Sequence, residues 1–328
     1  MHGWNEEALQ ALLPIASLRV VTSPPIATVK LLQDIQIVTH CVTNLDGEIN
    51  AWQEHLGYRL IERDKLPEEL CLAWDTPADA GRDYALMAPA DNNEVYMRFI
   101  ATPDRAGYWP PVTWGWNATE ILVEDPDILA AQLERSPFKR FGGPGDLYAH
   151  PKAPRAIQTY APSGAMIYFT RITPGGSRYG LHGAKSPVDR VFNVVLGGSS
   201  LDELRHFYSV TLGLRVGEPM PFTMTLAAQA CNASPDTLFP ICVAPVHARR
   251  SILELDEYPD NTTARPRESG CLPGGMSLVS FTTKQLANLP VTSRAPAIAI
   301  DAAPYNGRRT VVIEGPAGEW LELIESTN

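Results

Sequence analysis

One helix ending is written twice in this chain, and it constrains the fold more than any other feature. In residues 35–63, IQIVTHCVTNLDGEINAWQEHLGYRLIER, a β-rich run over 35–42 meets a Thr43-Asn44 turn with helix-capping character. An amphipathic stretch follows, with Ile49, Trp52, Gln53 and Leu56 at helical spacing; Gly57 stops it and the strand 58–63 begins. Residues 191–217, VFNVVLGGSSLDELRHFYSVTLGLRVG, repeat the scheme. Aligned on Gly57 and Gly213, Trp52 falls on Tyr208 and Leu56 on Leu212. Two weaker copies occupy 115–141 and 274–289, the last with a shorter helix. Each copy leads into β-prone segments, ending at 95–100, 166–172, 252–258 and 320–325. A four-fold internal repeat of strand, helix and strands is the expected organisation.

The repeat sets the boundaries. Residues 1–32 lie outside it as an N-terminal arm, and residues 33–173 hold two copies. The Gly- and Pro-rich stretch 174–186 reads as an interdomain linker, and residues 187–328 hold the other two copies. A length of 328 residues suits two domains, and 45% hydrophobic with 20% charged residues is the composition of a folded protein. A net charge of −10 without a basic run argues against nucleic acid and against an anionic membrane surface. The N-terminus has no basic leader, and no stretch is apolar for long enough to span a bilayer. Five cysteines without C-x-x-C spacing read as reduced thiols, so a cytoplasmic protein is expected.

One strand–helix–three-strand unit cannot cover its own sheet, but two side by side curl into a half-barrel around a cavity. Together with LGYR (56–59), LGLR (212–215), ILELDEYP (252–259) and GPAGEWLELIE (315–325), that scheme resembles the vicinal oxygen chelate superfamily. Glyoxalase I, bleomycin-resistance proteins, methylmalonyl-CoA epimerase and extradiol dioxygenases belong to it. The resemblance covers nearly everything after residue 33. It implies an α+β fold of four βαβββ units paired, in chain order, into two half-barrel, glyoxalase-like domains.

The resemblance also implies where a site should lie: one residue on each unit's first strand and one on its last, around a divalent metal such as iron, manganese, zinc, nickel or cobalt. In the N-terminal pair these positions are Ile37 and Ala118, with Arg98 and Tyr168. None is a good metal ligand, so Arg98 and Tyr168 read either as substrate-binding residues or as parts of a filled core. In the C-terminal pair they are Asn193 and Ser277 or Leu278, with Glu254 and Glu322. Two buried glutamates facing one cavity need a metal, a basic partner or a shared proton, and the last would also supply a general base. The bland alternative is that L-E-L-D-E and L-E-L-I-E simply alternate as half-exposed strands do. Asn193 reads as a weak metal ligand, a substrate contact or a structural amide.

Histidines are missing from every such position, which argues against the two-His, one-carboxylate iron site of ring-cleaving dioxygenases. His247, shortly before the strand of Glu254, is the one histidine kept as a candidate ligand. The glycine run 142–145 lacks the Lys-Ser or Lys-Thr of a phosphate loop, and no nucleotide cofactor is expected. The cluster Tyr108, Trp109, Trp114 and Trp116 either rims a pocket or forms a seam between units.

The expected function is an enzyme acting on a small oxygenated organic molecule, aromatic ones included, by lyase- or isomerase-like proton abstraction. Its catalytic residues would be Glu254 and Glu322, in a C-terminal cavity. Two alternatives stay open: an extradiol-type dioxygenase with a non-standard metal site, and a non-catalytic, bleomycin-resistance-like binding protein. A small-molecule ligand is the expected partner, and a homodimer is compatible with the resemblance.

Overall fold

The computed structural model describes residues 30–91, 95–104, 107–177, 179–247 and 250–326. Most of the N-terminal arm therefore lies outside the described residues.

All four units are present. The first runs β1 (Ile35–Val42), α1 (Leu45–Leu56), β2 (Arg59–Lys65), α2 (Glu68–Trp74), β3 (Asp83–Ala88) and β4 (Tyr96–Ala101). The second runs β5 (Gly115–Val123), α3 (Pro126–Leu133), β6 (Lys139–Asp146), β7 (Arg155–Tyr160) and β8 (Met166–Arg171). The third runs β9 (Val188–Gly198), α4 (Leu201–His206), β10 (Met220–Thr223), α5 (Thr225–Ala230), β11 (Leu238–His247) and β12 (Ser251–Glu257). The fourth has strands β13 (Met276–Thr283), β14 (Ile298–Ile300), β15 (Arg308–Glu314) and β16 (Trp320–Glu325).

Local chemistry starts and stops the repeated helices. Asn44 caps α1 by accepting from the Gly47 amide, and Ser200 caps α4 through the Glu203 amide. After α4 the chain continues as one π-helical turn over Phe207–Thr211. Gly57 and Gly213 end the two helices at φ 68° and 70°, a conformation that costs glycine little. The fourth unit departs from expectation, because no helix forms between β13 and β14. Only six residues separate Thr283 from Pro290, too few to repay helix nucleation before the proline ends it.

Sheet order corrects the expected pairing of units. One eight-stranded sheet runs β14-β15-β16-β13-β1-β4-β3-β2, and the other runs β10-β11-β12-β9-β5-β8-β7-β6. The first unit therefore pairs with the fourth, and the second with the third. At each centre the first strands of two units meet antiparallel, β1 with β13 and β5 with β9. Each is flanked by its own unit's last strand in parallel. The chain crosses between sheets twice, over 102–114 and 258–275, not at 174–186.

The two crossings are bound to each other. The Trp114 amide donates to the Thr263 carbonyl at 2.9 Å, and the Thr263 amide to that of Val112 at 2.9 Å. Buried Arg265 donates to the carbonyls of Trp116, Gly274 and Met276, under the Tyr108 ring. The aromatic cluster is thus a seam: Trp114 bonds Thr262, Trp116 bonds the Trp320 carbonyl, and only Trp109 is exposed.

A single core, containing Trp52, Phe99, Phe169, Tyr208, Leu253 and Leu323, joins the backs of both sheets with the repeated helices. The opposite, concave faces differ. That of the β1/β13 sheet is filled by α2 and its Trp74, together with Tyr305 and Leu278. That of the β5/β9 sheet is only partly covered, and the cavity lies there. Among the described residues no helix is long and apolar enough to cross a membrane.

Candidate functional site

The filled and the open half-barrel divide the candidate residues between them. Arg98 and Glu322 share the filled one. Glu322 is fully buried and accepts from Trp74 Nε1 at 2.8 Å, Tyr305 Oη at 2.8 Å, Thr310 Oγ1 at 2.9 Å and the Ser280 hydroxyl. Arg98 Nη2 donates to Tyr305 Oη at 2.8 Å, and its guanidinium lies against the Trp74 and Tyr305 rings. Tyr305 thus bridges the buried Arg98 to the buried Glu322. Ile37 and Leu278 pack in the same cluster, while Ser277 is buried against the Thr39 carbonyl.

The open half-barrel holds Ala118, Tyr168, Asn193 and Glu254. Its cavity, of about 360 Å³, has walls from β8, β9, β11 and β12, and from residues 147–154 and 176–181. The stretch expected to be a linker is therefore a cavity wall, with Tyr179 and Leu181 on it. Most of the lining is apolar, including Ile172, Phe192, Phe222, Ile241 and Val243.

Four polar side chains form a row across the floor, one from each central strand. They are Thr170 on β8, Glu120 on β5, Asn193 on β9 and Glu254 on β12. Glu120 and Asn193 are direct register partners. Asn193 Nδ2 donates to Glu120 Oε2 at 2.8 Å and reaches Glu254 Oε2 at 3.5 Å, while Thr170 donates to Glu120 Oε1. Burial pushes the Glu120 carboxyl upward, moderated by the Thr170 and Asn193 bonds. Burial also raises Glu254 well above the ordinary carboxylate range; the Asp256 and Glu120 carboxyls add to this and the Asn193 bond opposes it. Among the described residues that line the cavity there is no Lys or Arg.

Two sequence expectations change here. Glu254 and Glu322 lie on different sheets and do not share a cavity, because the units pair one-with-four and two-with-three. Glu120, which spacing from the helix end did not reach, is the carboxylate that does face Asn193. The second unit's count fell on Ala118, one strand period away on the same face. His247 also lies elsewhere: its Nδ1 meets the Asp34 carboxyl in a part-exposed hydrogen bond.

These residues fit a divalent metal poorly. An amide N–H group, not a lone pair, points at both carboxylates, and the fourth member of the row is a hydroxyl that donates as well. Among the described residues, no three His, Cys, Asp or Glu side chains cluster to hold a metal ion. The arrangement is that of carboxyls held by hydrogen-bond donors, with burial disfavouring their charged forms.

No family model and no curated protein sequence matches the chain. Solved structures do. A glyoxalase I variant from Zea mays superposes with a TM-score of 0.60 at 15% identity, over 89% of this chain and 93% of that one. Glyoxalase I from Zea mays itself gives 0.58 at 14%, over 89% and 92%. A Bacillus subtilis protein proposed to be a dioxygenase gives 0.58 at 11%, over 91% and 87%. At these identities the likeness establishes the fold alone: the chain has two curled, eight-stranded half-barrels arranged in tandem, as in glyoxalase I from Zea mays.

Proposed function

We propose that the chain is an acid–base enzyme acting on a small, uncharged, largely apolar carbonyl compound in the β5/β9 cavity. The observation that carries this reading is a pair of enclosed carboxyls, Glu120 and Glu254, joined by one amide at the floor of an apolar pocket. Solved relatives named for glyoxalase I make a small-molecule enzyme a natural use of the fold, but fold does not fix reaction.

Environment divides the labour between such carboxyls: one ionised, one neutral, exchanging a proton at pH values where free carboxyls would both be charged. With a carbonyl compound above them, the ionised carboxylate takes the proton from the carbon next to the carbonyl. The C–H electron pair becomes the C=C of an enol, and the carbonyl oxygen takes the proton of the neutral carboxyl. Return of a proton to the same carbon, as the enol O–H gives its proton back to the carboxylate, restores the compound with an exchanged hydrogen. Where that carbon carries a hydroxyl, protonation of the former carbonyl carbon with loss of the hydroxyl proton to the carboxylate gives the isomer. Asn193 holds the two carboxyls in register. The apolar walls exclude water and favour an uncharged substrate.

Proton nuclear magnetic resonance in deuterium oxide, with a panel of uncharged hydroxyketones and aryl ketones, tests this. Deuterium should enter the carbon beside the carbonyl of at least one compound, and Glu254→Gln should abolish entry while the compound still binds. Binding without exchange in the unaltered protein would make the chain a sequestering protein, the reading that the apolar walls favour next.

A further inference from the structure

A second, smaller chamber of about 100 Å³ lies on the other side of Glu254. Its polar lining includes Glu254, Asp256 and Asn117, and its aromatic lining includes Tyr168, Tyr258 and Phe141. Glu254 and Phe222 line both chambers. Asp256 and Glu254 stand two residues apart on β12 and so face the same side of the sheet.

Gln158, Thr223 and Thr225 also line the chamber, but two of its buried acceptors receive no hydrogen bond. Asp256 is 5% exposed and Asn117 3% exposed, yet Asp256 Oδ1 and Asn117 Oδ1 have no hydrogen-bond partner. A buried oxygen left so is costly, and two in one small chamber that also holds the Glu254 carboxyl ask for the same thing. Among the described lining residues none is Lys, Arg or His. Aromatic faces complete the wall, and they attract a desolvated cation. An anion is excluded by the carboxyls, and a neutral apolar group would leave both oxygens unsatisfied.

We propose that this chamber is a binding subsite for a compact organic ammonium group, held by Asp256 and Asn117 and flanked by the Tyr168 and Tyr258 rings. The N–H groups of a primary ammonium supply the donors the two oxygens lack. Its charge compensates the carboxyls, and its carbon substituents meet the rings. An occupied chamber also bears on the larger cavity: a cation beside Glu254 favours that carboxyl's ionised, proton-accepting form. The subsite stands independently of the acid–base reading, since binding is measured without turnover.

Isothermal calorimetry with methylammonium chloride on the whole chain, against sodium and potassium chloride at equal ionic strength, is the test. Saturable methylammonium binding is expected. Asp256→Asn should weaken it about tenfold or more, because a buried charge partner is removed. Tyr258→Phe, which keeps the ring, should retain binding. Tyr168→Leu, which removes one, should weaken it by a factor of about 2–5. Thermal midpoints of the variants separate loss of binding from loss of fold. Absence of saturable binding, equal response to potassium, or equal affinity in Asp256→Asn would each overturn the proposal.

Discussion

Asn193 on β9 is the register partner of Glu120 on β5, and its amide donates to that carboxyl at 2.8 Å while reaching Glu254 at 3.5 Å. One side chain, 1% exposed, thus serves two enclosed carboxyls. Replacing it by leucine removes the shared donor and leaves two acceptors facing apolar volume. Asn193→Leu should lose about 1–3 kcal/mol of unfolding free energy, the usual cost of stranding buried polar groups. Urea titration checks this, and the loss should grow as pH rises and the carboxyls are pressed to ionise.

Stability should fall as pH rises through neutrality. Burial lifts Asp256 from 3.8 to about 7, and lifts Glu319 from 4.5 to about 7. Between those values the folded chain keeps protons that the unfolded chain has released. Their stabilising contribution is therefore complete below the unfolded values and is lost as pH climbs through about 7. His40 acts the other way. Burial, with Arg265 nearby, lowers it from 6.5 to about 3, so its contribution grows with pH across that interval. Above 6.5 the carboxyl slope alone remains. The urea midpoint should decline from there to about pH 8, and Asp256→Asn combined with Glu319→Gln should flatten the decline.

The repeat was legible because helix ends are local: Gly57 and Gly213, their capping residues and the aligned Trp52 and Tyr208 all lie within one unit. The pairing of units was not. The first strands are buried on both faces, β5 along its whole length, so no alternation marks which neighbour each one wants. Pairing is fixed instead by distant contacts such as Arg265 with Trp116 and Trp114 with Thr262. Glu120 escaped notice for a related reason. In WNATEILV it is the one charged residue in a strand without period, and its register with Asn193 is what shows that it faces the cavity floor. A short fourth helix was expected and does not form, because Pro290 stands too soon after β13.

Thiol chemistry should distinguish one cysteine from the rest. Cys41, Cys71, Cys242 and Cys271 are buried, and burial pushes Cys71 up to about 12 and Cys242 up to about 11. Neither provides thiolate at neutral pH. Cys231, just past α5, is partly exposed. A water-soluble disulfide reagent should modify Cys231 alone in the native protein and all five thiols in denaturant. Mass spectrometry of the labelled peptides reads the result, and fast native labelling of Cys71 would contradict the burial of α2 in the first half-barrel.

The two glutamates at matching places in their units should respond oppositely to removal of charge. Glu322 sits among four donors, with Arg98 held across Tyr305, so Glu322→Leu strands a buried guanidinium and four hydroxyl or indole donors. A loss of about 3–5 kcal/mol is expected, as for other buried pairs broken on one side. Arg98→Met added to Glu322→Leu should recover part of that loss, because the stranded charge is gone; a double-mutant cycle measures the coupling. Glu254 has no such company, and its neighbouring carboxyls oppose its ionisation. Glu254→Gln should leave stability unchanged or raise it at alkaline pH, while abolishing proton exchange in any carbonyl compound the cavity accepts. If Glu254→Gln proved as destabilising as Glu322→Leu, Glu254 would be a structural carboxylate with a partner of its own, and the cavity would lose its proton carrier.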